Sequence, residues 1–247
     1  MKSGLLFSLL LLLLGCSSSK IDTNSPAERL YLEGEEAIKD ERFLIAEEKL
    51  EAITKKYPYS EYAVRAQLRL ADVYFQEERL PEASAQYTVF RDLHPNHEKI
   101  DYVYFRIGEC AFFQIPDKIG RDTNIAHEAL AAYKRLLRDF PNTSYRNQSE
   151  SRILETRKKL AQKEIYIANW YLGQDRYPSA IKRYLYLLKT YTNIGYDEEA
   201  YKGLIKSYYE LKEASPDSKR YARDFIKRYP NNEEVALART IIGGNFN

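Results

Sequence analysis

A spacing of twelve residues, repeated along the chain, is the feature that most constrains the fold of this protein. An aromatic residue or a histidine precedes Pro58, Pro95, Pro141 and Pro230, and small residues stand at intervals of twelve before most of these prolines. Three sets hold the full pattern, the last with Thr in the place of Pro: Gly34, Ala46 and Pro58; Ala71, Ala83 and Pro95; Ala168, Ala180 and Thr192. In a further set, Ala129 and Pro141 are twelve residues apart, but Ala129 follows Gly108 by 21 residues, nine more than the period. A looser fifth set runs from Tyr208 to Pro230.

The physical reason for such a pattern is the close packing of paired helices. Small side chains let the two helices of a unit, A and B, approach closely, and proline ends helix B because it lacks an amide hydrogen and restricts its predecessor. This pattern resembles the tetratricopeptide repeat, a helix-turn-helix unit of about 34 residues. Gly and Pro are few, at 10 and 9, and no alternating strand pattern occurs. The sequence therefore predicts an all-α solenoid of about five units.

Helix boundaries can be predicted from capping residues. Ser25, Pro26 and Glu28 form a capping box with proline in the first turn, so the first helix is expected to begin there. Three further prolines fall where a B helix is expected to begin: Pro81, Pro178 and Pro216. Each of them can occupy the first turn, where a missing amide hydrogen costs nothing.

Two departures from the period predict special elements. The nine extra residues of the third unit lie within 114–122, where Pro, Gly and charged residues indicate an exposed loop. Between Pro141 and Ala168 the interval is fourteen residues longer than at earlier junctions, which is almost four helical turns. We therefore expect one long helix over Gln148 to Leu172. It would join an N-terminal array, 26–145, to a C-terminal array, 146–247.

The N-terminus is typical of a bacterial lipoprotein. The apolar run Leu5–Leu14 is too short to span a membrane, which takes about 20 helical residues. Leu13-Leu14-Gly15-Cys16 resembles the lipobox, in which cysteine receives diacylglycerol on its thiol and an acyl chain on its new amine. We expect a signal peptide at 1–15, lipid on Cys16 and a tether over 16–25, with no other cofactor. Ser17 favours sorting to the outer membrane; an ordinary signal with an unmodified cysteine is the alternative.

Composition excludes several function classes. Removing Lys2 with the signal changes the formal net charge from +2 to +1, so the charge does not favour nucleic-acid binding. The three histidines match no metal-binding spacing, and no nucleophile elbow or phosphate-binding loop occurs. Neither a metal site nor catalytic residues are expected. Cys110 stands in an apolar stretch and is predicted to be a small buried residue rather than a reactive thiol.

Several motifs together resemble one family of lipoproteins. In this order, behind the lipobox, they are Tyr57-Pro58-Tyr59-Ser60, His94-Pro95-Asn96-His97, Ile100-Asp101-Tyr102-Val103-Tyr104, Phe140-Pro141-Asn142 and Trp170-Tyr171. They are similar to the BamD family (ComL or YfiO), lipoproteins of the outer-membrane β-barrel assembly machine. The resemblance covers Cys16 to about Pro230. Glu98 departs from it, since the family usually has a second proline there.

The resemblance implies a location and partners. It predicts a lipid-anchored protein on the periplasmic face of the outer membrane. It also implies binding to a POTRA domain of BamA, association with other Bam lipoproteins and reception of the C-termini of unfolded outer-membrane proteins. The BamA contact is expected on helix B of the fourth repeat, at Arg183 with its neighbour Tyr184. A solvated surface arginine is the alternative for Arg183.

A binding groove is expected on the concave face of the A helices of units two and three. The predicted groove residues are Tyr62, Gln67, Tyr74, Tyr102 and Arg106, with Tyr104 nearby. Aromatic rings and a guanidinium suit a peptide that ends in an aromatic residue and a carboxylate. Packing within the repeat is the alternative for Tyr74 and Tyr104, and the favoured one for Tyr74. A repeat lipoprotein that chaperones a pilus subunit or organises the cell wall is the alternative function.

Overall fold

A computed structural model describes residues 25–118 and 123–246, so the predicted signal peptide, Cys16 and most of the predicted tether lie outside the described residues. The described part forms eleven α-helices and no strand. They are α1 Pro26–Lys39, α2 Phe43–Lys56, α3 Glu61–Gln76, α4 Leu80–Leu93, α5 Ile100–Phe113, α6 Asn124–Asp139, α7 Arg146–Gly173, α8 Tyr177–Thr190, α9 Asp197–Glu210, α10 Pro216–Arg228 and α11 Val235–Gly243. None of these helices is long and apolar enough to cross a membrane.

The first ten helices form five antiparallel pairs, each an A helix followed by a B helix, and the fold is a tetratricopeptide-repeat solenoid. We call the small residues and prolines spaced by twelve the grid. The small residues of the grid lie where the helices meet. Ala46, Ala71, Ala129 and Ala180 have no exposed surface. An added Cβ at Gly108 would lie 2.7 Å from Cε1 of Tyr133 on α6, so a larger side chain does not fit there. The predicted packing reason for the twelve-residue period is therefore confirmed.

The predicted helix ends are also confirmed. The Ser25 side chain accepts a hydrogen bond from the Glu28 amide at 3.1 Å and caps α1. Pro81, Pro178 and Pro216 each lie in the first turn of a B helix. The B helices α2, α4, α6 and α10 each end two residues before the proline of the grid.

A single turn geometry joins helix A to helix B in four of the five units. In each, one non-glycine residue takes a left-handed conformation, with φ between 53° and 57°: Glu41, Glu78, Asp175 and Lys212. This conformation costs a non-glycine residue about 1 kcal/mol, so the tight connection must be stabilised by the packing on either side. The third unit has a longer connection, as the sequence predicted, although residues 119–122 lie outside the described part.

The long helix α7 confirms the expected connecting element, with two more residues at its N-terminus and one more at its C-terminus. Its first half packs on α5 and α6, and its second half serves as helix A of the fourth unit. The fifth unit departs from the grid. Ser218, twelve residues before Pro230, is fully buried and is the small residue of this unit. Tyr208, where the predicted fifth set begins, is a large core residue instead. The helix α11, which was not predicted, packs on α9 and α10 and covers the end of the solenoid.

The apolar core has two parts that meet on α5. One part runs from Ala27 to Cys110, and the other runs from Phe105 to Ile241. Cys110 is fully buried, as predicted, and burial raises the pKa of its thiol to about 12. At the same junction the buried carboxylate of Glu109 accepts hydrogen bonds from Tyr133 at 2.6 Å and from Arg152 at 3.0 Å. This polar cluster joins α5, α6 and α7.

Candidate functional site

The carboxylate of Asp72 lies at the centre of a polar cluster on the A helices of units two and three. Its Oδ1 accepts hydrogen bonds from Tyr87 at 2.6 Å and from Tyr102 at 2.7 Å. Its Oδ2 lies 3.6 Å from a guanidinium nitrogen of Arg69, which also bonds Glu35 on α1. Four helices, α1, α3, α4 and α5, therefore contribute to one network.

Arg106 extends this network toward the C-terminal ends of α3 and α5. Its Nε donates to the hydroxyl of Tyr87 at 3.3 Å, and its guanidinium lies 3.6 Å from the ring centre of Phe75. We call the surface formed by Arg65, Arg69, Asp72, Phe75, Tyr102, Arg106 and Phe113 the A-face.

Protonation of the two tyrosines keeps this network intact. Burial, together with the negative charge of Asp72, raises the pKa of Tyr87 and of Tyr102. Both hydroxyls therefore carry a proton near neutral pH and can donate to the same oxygen. A fixed carboxylate held by two donors is a preorganised polar centre, since its partners need not rearrange when a ligand arrives.

Two cavities open on opposite ends of the A-face. One, of about 300 Å³, is lined by Tyr31, Arg65, Leu68, Arg69, Asp72, His97, Glu98 and Lys99. The other, of about 530 Å³, is lined by Phe75, Gln76, Glu78, Leu80, Arg106 and Phe113. The first is mainly charged, whereas the second is largely aromatic and aliphatic. The A-face thus carries a charged cavity and an apolar cavity on one surface.

The structure brings together only some of the predicted groove residues. Tyr102 and Arg106 lie at the centre of the A-face. Tyr62 lies at its edge, with its ring 5.6 Å from that of Tyr31 and beside Arg65. Gln67 is engaged elsewhere, since its side-chain oxygen lies 2.7 Å from Nε2 of His94 in the turn after α4.

Tyr74 does not join this surface. It is 6% exposed and donates a hydrogen bond to Glu47 on α2 at 2.8 Å, and burial and Glu47 raise its pKa to about 12. The packing alternative describes this residue, which offers no surface to a ligand. Tyr104 also packs between helices, with its ring 5.4 Å from that of Phe140.

The two residues predicted to contact BamA have different environments. Arg183 has a side chain that is 41% exposed and pairs with Glu164 on α7 at 3.0 Å. It lines a cavity of about 300 Å³ with His127, Lys163 and Tyr186, among others. Tyr184 is fully buried and donates to Asn169 at 2.6 Å, so it has no surface for a partner. Only Arg183 can carry the predicted contact directly.

Sequence reasoning missed Asp72, Arg69 and Arg65. Their spacing on α3 contained the necessary information, because positions 65, 69 and 72 are i, i+4 and i+7 of one helix face. Within residues 25–118 and 123–246, no group of three His, Cys, Asp or Glu side chains is placed to bind a metal ion.

Comparison with known proteins gives the family. Residues 23–221 match the YfiO family, described as an outer membrane lipoprotein. The outer membrane protein assembly factor BamD of Vibrio cholerae is 32% identical over 219 residues, covering 85% of this chain and 90% of the relative. BamD of Rickettsia prowazekii is 27% identical and covers 94% of this chain and 92% of its own.

Among solved structures, the TPR2AB domain of yeast Sti1 in complex with pHSP90 is 14% identical, with a TM-score of 0.48 over 88% of both chains. The curated relatives are named as assembly factors, not as enzymes. The match to the family over most of the chain, together with 32% identity to a relative along nearly its whole length, shows that this chain belongs to the YfiO family of outer-membrane lipoproteins.

Proposed function

We propose that this protein is a lipid-anchored scaffold of the machinery that assembles β-barrel proteins in the outer membrane. It would act on the periplasmic face, bind a POTRA domain of BamA through its C-terminal array, and receive unfolded outer-membrane proteins on its N-terminal array. The observation that carries the proposal is the family match over residues 23–221, within which the A-face lies. Other Bam lipoproteins are further proposed partners.

We assign substrate reception and BamA binding to different arrays because the A-face and Arg183 lie on different units. The A-face belongs to units two and three, whereas Arg183 lies on α8 of unit four. The helix α7 separates them. Tyr145, just before α7, contacts Tyr102, and Glu164, which pairs with Arg183, lies 18 residues after the first residue of α7, about 27 Å along its axis. Such a distance would let a folded POTRA domain and an extended substrate chain bind at the same time without competing for surface.

Arg183→Glu tests the contact with BamA. A half-exposed guanidinium can meet a carboxylate of a partner, and reversal of its charge would replace attraction by repulsion, which costs several kcal/mol at an interface. We expect the BamA homologue to be lost from the variant when it is affinity-purified from detergent-solubilised envelopes.

The matched control is Arg223→Glu on α10, another exposed arginine. It should recover BamA as the wild type does. Because the carboxylate introduced at position 183 would lie near Glu164, the helical circular dichroism of both variants should be compared with that of the wild type. Full recovery of BamA with a folded Arg183→Glu protein would contradict the proposed interface.

Cys16→Ser tests the anchor separately. A thiol is required for the thioether to diacylglycerol, so the variant should not incorporate labelled fatty acid. Retention of the label would show that lipid is attached elsewhere. Loss of the label with unchanged recovery of BamA would leave the scaffold proposal intact, because the two surfaces do not involve the anchor.

A further inference from the structure

The first unit brings the end of α2 beside the start of α1. A Cβ added at Gly34 on α1 would lie 3.3 Å from the side chain of Leu50 on α2, so these two positions face each other. Because the helices are antiparallel, counting nine residues back along α1 and nine forward from Leu50 places Ser25 opposite Tyr59, in the turn after α2. The predicted tether also ends at residue 25. The tether therefore joins the array at the edge that carries this turn.

The start of α3 lies at the same edge. The ring of Tyr62, in the first turn of α3, lies 5.6 Å from that of Tyr31 on α1, and burial and the carboxylate of Glu28 raise the pKa of Tyr62. The turn between α2 and α3 is therefore held against the first half of α1. The surface that we call the tether edge is formed by Ser25, Lys55, Lys56, Tyr57, Pro58 and Tyr59.

Tyr59 distinguishes this turn from the corresponding turns of later units. In the turns after α4, α6 and α10, asparagine follows the proline, at Asn96, Asn142 and Asn231. In the first unit this position is a tyrosine that is fully exposed, and no other large hydrophobic side chain in the described part of the chain is as exposed. Tyrosine rings concentrate in the headgroup region of bilayers, where the ring is partly desolvated and the hydroxyl stays hydrated.

Positive side chains lie beside this tyrosine. Lys55 and Lys56 are exposed in the last turn of α2, and Lys55 pairs with Glu51 at 2.6 Å. Lys56 forms no ion pair within residues 25–118 and 123–246. Around the edge, four cationic side chains and three carboxylates leave an excess of one positive charge: Arg29, Lys55, Lys56 and Arg65 against Glu28, Glu51 and Glu61. The excess is small, so the tyrosine ring carries the contact and Lys56 adds a preference for anionic headgroups.

The tether limits how far this edge can lie from the bilayer. Cys16, where lipid attachment is predicted, is nine residues before Ser25, and nine residues cannot span more than about 32 Å. The tether edge is therefore within one tether length of the headgroups. Leu44 near the other end of α2 is 76% exposed, but it lies about 18 Å along the helix from Lys56.

We propose that the tether edge lies on the phospholipid surface to which the chain is anchored, with the ring of Tyr59 among the headgroups and Lys56 against lipid phosphates. The proposal rests on the lipid anchor of the proposed function and adds an orientation to it. A lipid on one residue fixes a single point and leaves the array free to rotate about it. A second contact restricts that rotation, so the two binding surfaces face their partners more of the time.

Quenching of a single tryptophan by brominated lipid tests this contact. The lipidated protein is reconstituted in vesicles of phosphatidylcholine and phosphatidylglycerol with brominated acyl chains. Trp170→Phe removes the one tryptophan of the chain, and Tyr59→Trp or Leu44→Trp then places one at either end of α2. Relative to vesicles without bromine, we expect the emission at position 59 to fall at least about twofold, since tryptophan also prefers the headgroup region. The emission at position 44 should be unchanged.

Lys56→Gln tests the charge in the same vesicles. A lysine near an anionic surface contributes about 1 kcal/mol, so its loss should lower the ratio of bound to free edge about fivefold. Quenching at position 59 should weaken accordingly in vesicles with phosphatidylglycerol and remain unchanged in phosphatidylcholine alone. Lys39→Gln is the matched control, since Lys39 is exposed in the last turn of α1, at its opposite end.

Equal quenching at positions 44 and 59 would overturn the proposed orientation. Absence of quenching at position 59 would overturn the membrane contact and leave a protein partner as the occupant of the edge. Incorporation of labelled fatty acid separates these results from failure of the anchor. Labelled protein without quenching refutes the tether edge alone, whereas a chain that takes no label at Cys16 refutes the anchor and the membrane contact together.

Discussion

Single residues determine how closely the helices of this solenoid approach, and Gly203 is the clearest case. It lies in α9, where the ring of Tyr184 from α8 packs so closely that a Cβ added at this glycine would overlap the ring. Tyr184 cannot easily move because its hydroxyl is bonded to Asn169. The buried tyrosine and the glycine therefore form one packing unit, and this explains why Tyr184 is unavailable to a partner.

Gly203→Ala should destabilise the protein, although alanine is normally the better helix former. The gain in helix propensity is about 1 kcal/mol, whereas forcing a methyl group into a packed contact costs about 1–3 kcal/mol. Urea unfolding followed by circular dichroism measures the difference. Gly173→Ala, where no atom lies within 4 Å of the added Cβ, is the control and should be neutral or stabilising. A more stable Gly203→Ala protein would show that the ring of Tyr184 can move aside.

At the scale of the helix, α7 is held to the first three units by a buried ion pair as well as by apolar packing. The Glu109 side chain is 8% exposed, and its partner Arg152 on α7 is 28% exposed and lies over the ring of Phe112. Removing one member of a buried pair leaves the other charge without compensation, which costs more than the pair itself contributes.

Arg152→Ala should therefore lower the free energy of unfolding by about 1–3 kcal/mol, less than for a fully buried pair because Tyr133 still donates to Glu109. Arg138→Ala is the control, since Arg138 pairs with Asp139 at the surface, where such pairs contribute about 0–1 kcal/mol. Thermal unfolding of both variants measures the effect. Equal melting temperatures for the two would indicate that the Glu109 cluster does not hold α7.

The helices were predictable from sequence wherever a small residue or a proline has one clear physical role. The long α7 was predictable because its inserted length keeps the apolar positions in phase. The fifth unit was not, since Ser218 stands where other units have alanine, and α11 follows no grid. Of the predicted groove residues, Tyr102 and Arg106 lie together on the A-face, whereas Tyr74 packs against Glu47 on α2, in agreement with the favoured packing alternative. An A helix packs on both sides, and a tyrosine suits either a core position or a surface.

At the scale of the whole molecule, stability depends on contacts between neighbours. Most helices pack against the next helix in the chain, and several A helices also contact the following A helix. The last unit is covered by α11, in which Ala238 and Ile241 are fully buried. A terminal helix of this kind closes the apolar side of a solenoid that would otherwise face water.

A chain that ends at Asn232 and so lacks α11 should lose stability locally. Amide hydrogen exchange should become faster in α9 and α10, which α11 contacts, and should remain unchanged in α1 to α4, which serve as the internal control. Faster exchange along the entire chain would mean that the array unfolds as one cooperative unit.

The same neighbour-to-neighbour packing has a consequence for how the chain reaches its native state. Contacts between residues close in sequence require little loop closure, and proteins dominated by such contacts fold in microseconds to milliseconds. Nucleation can begin at any helix pair and spread outward. A chain that emerges from an export channel in sequence order can therefore build each unit on the previous one, without waiting for a distant segment to arrive.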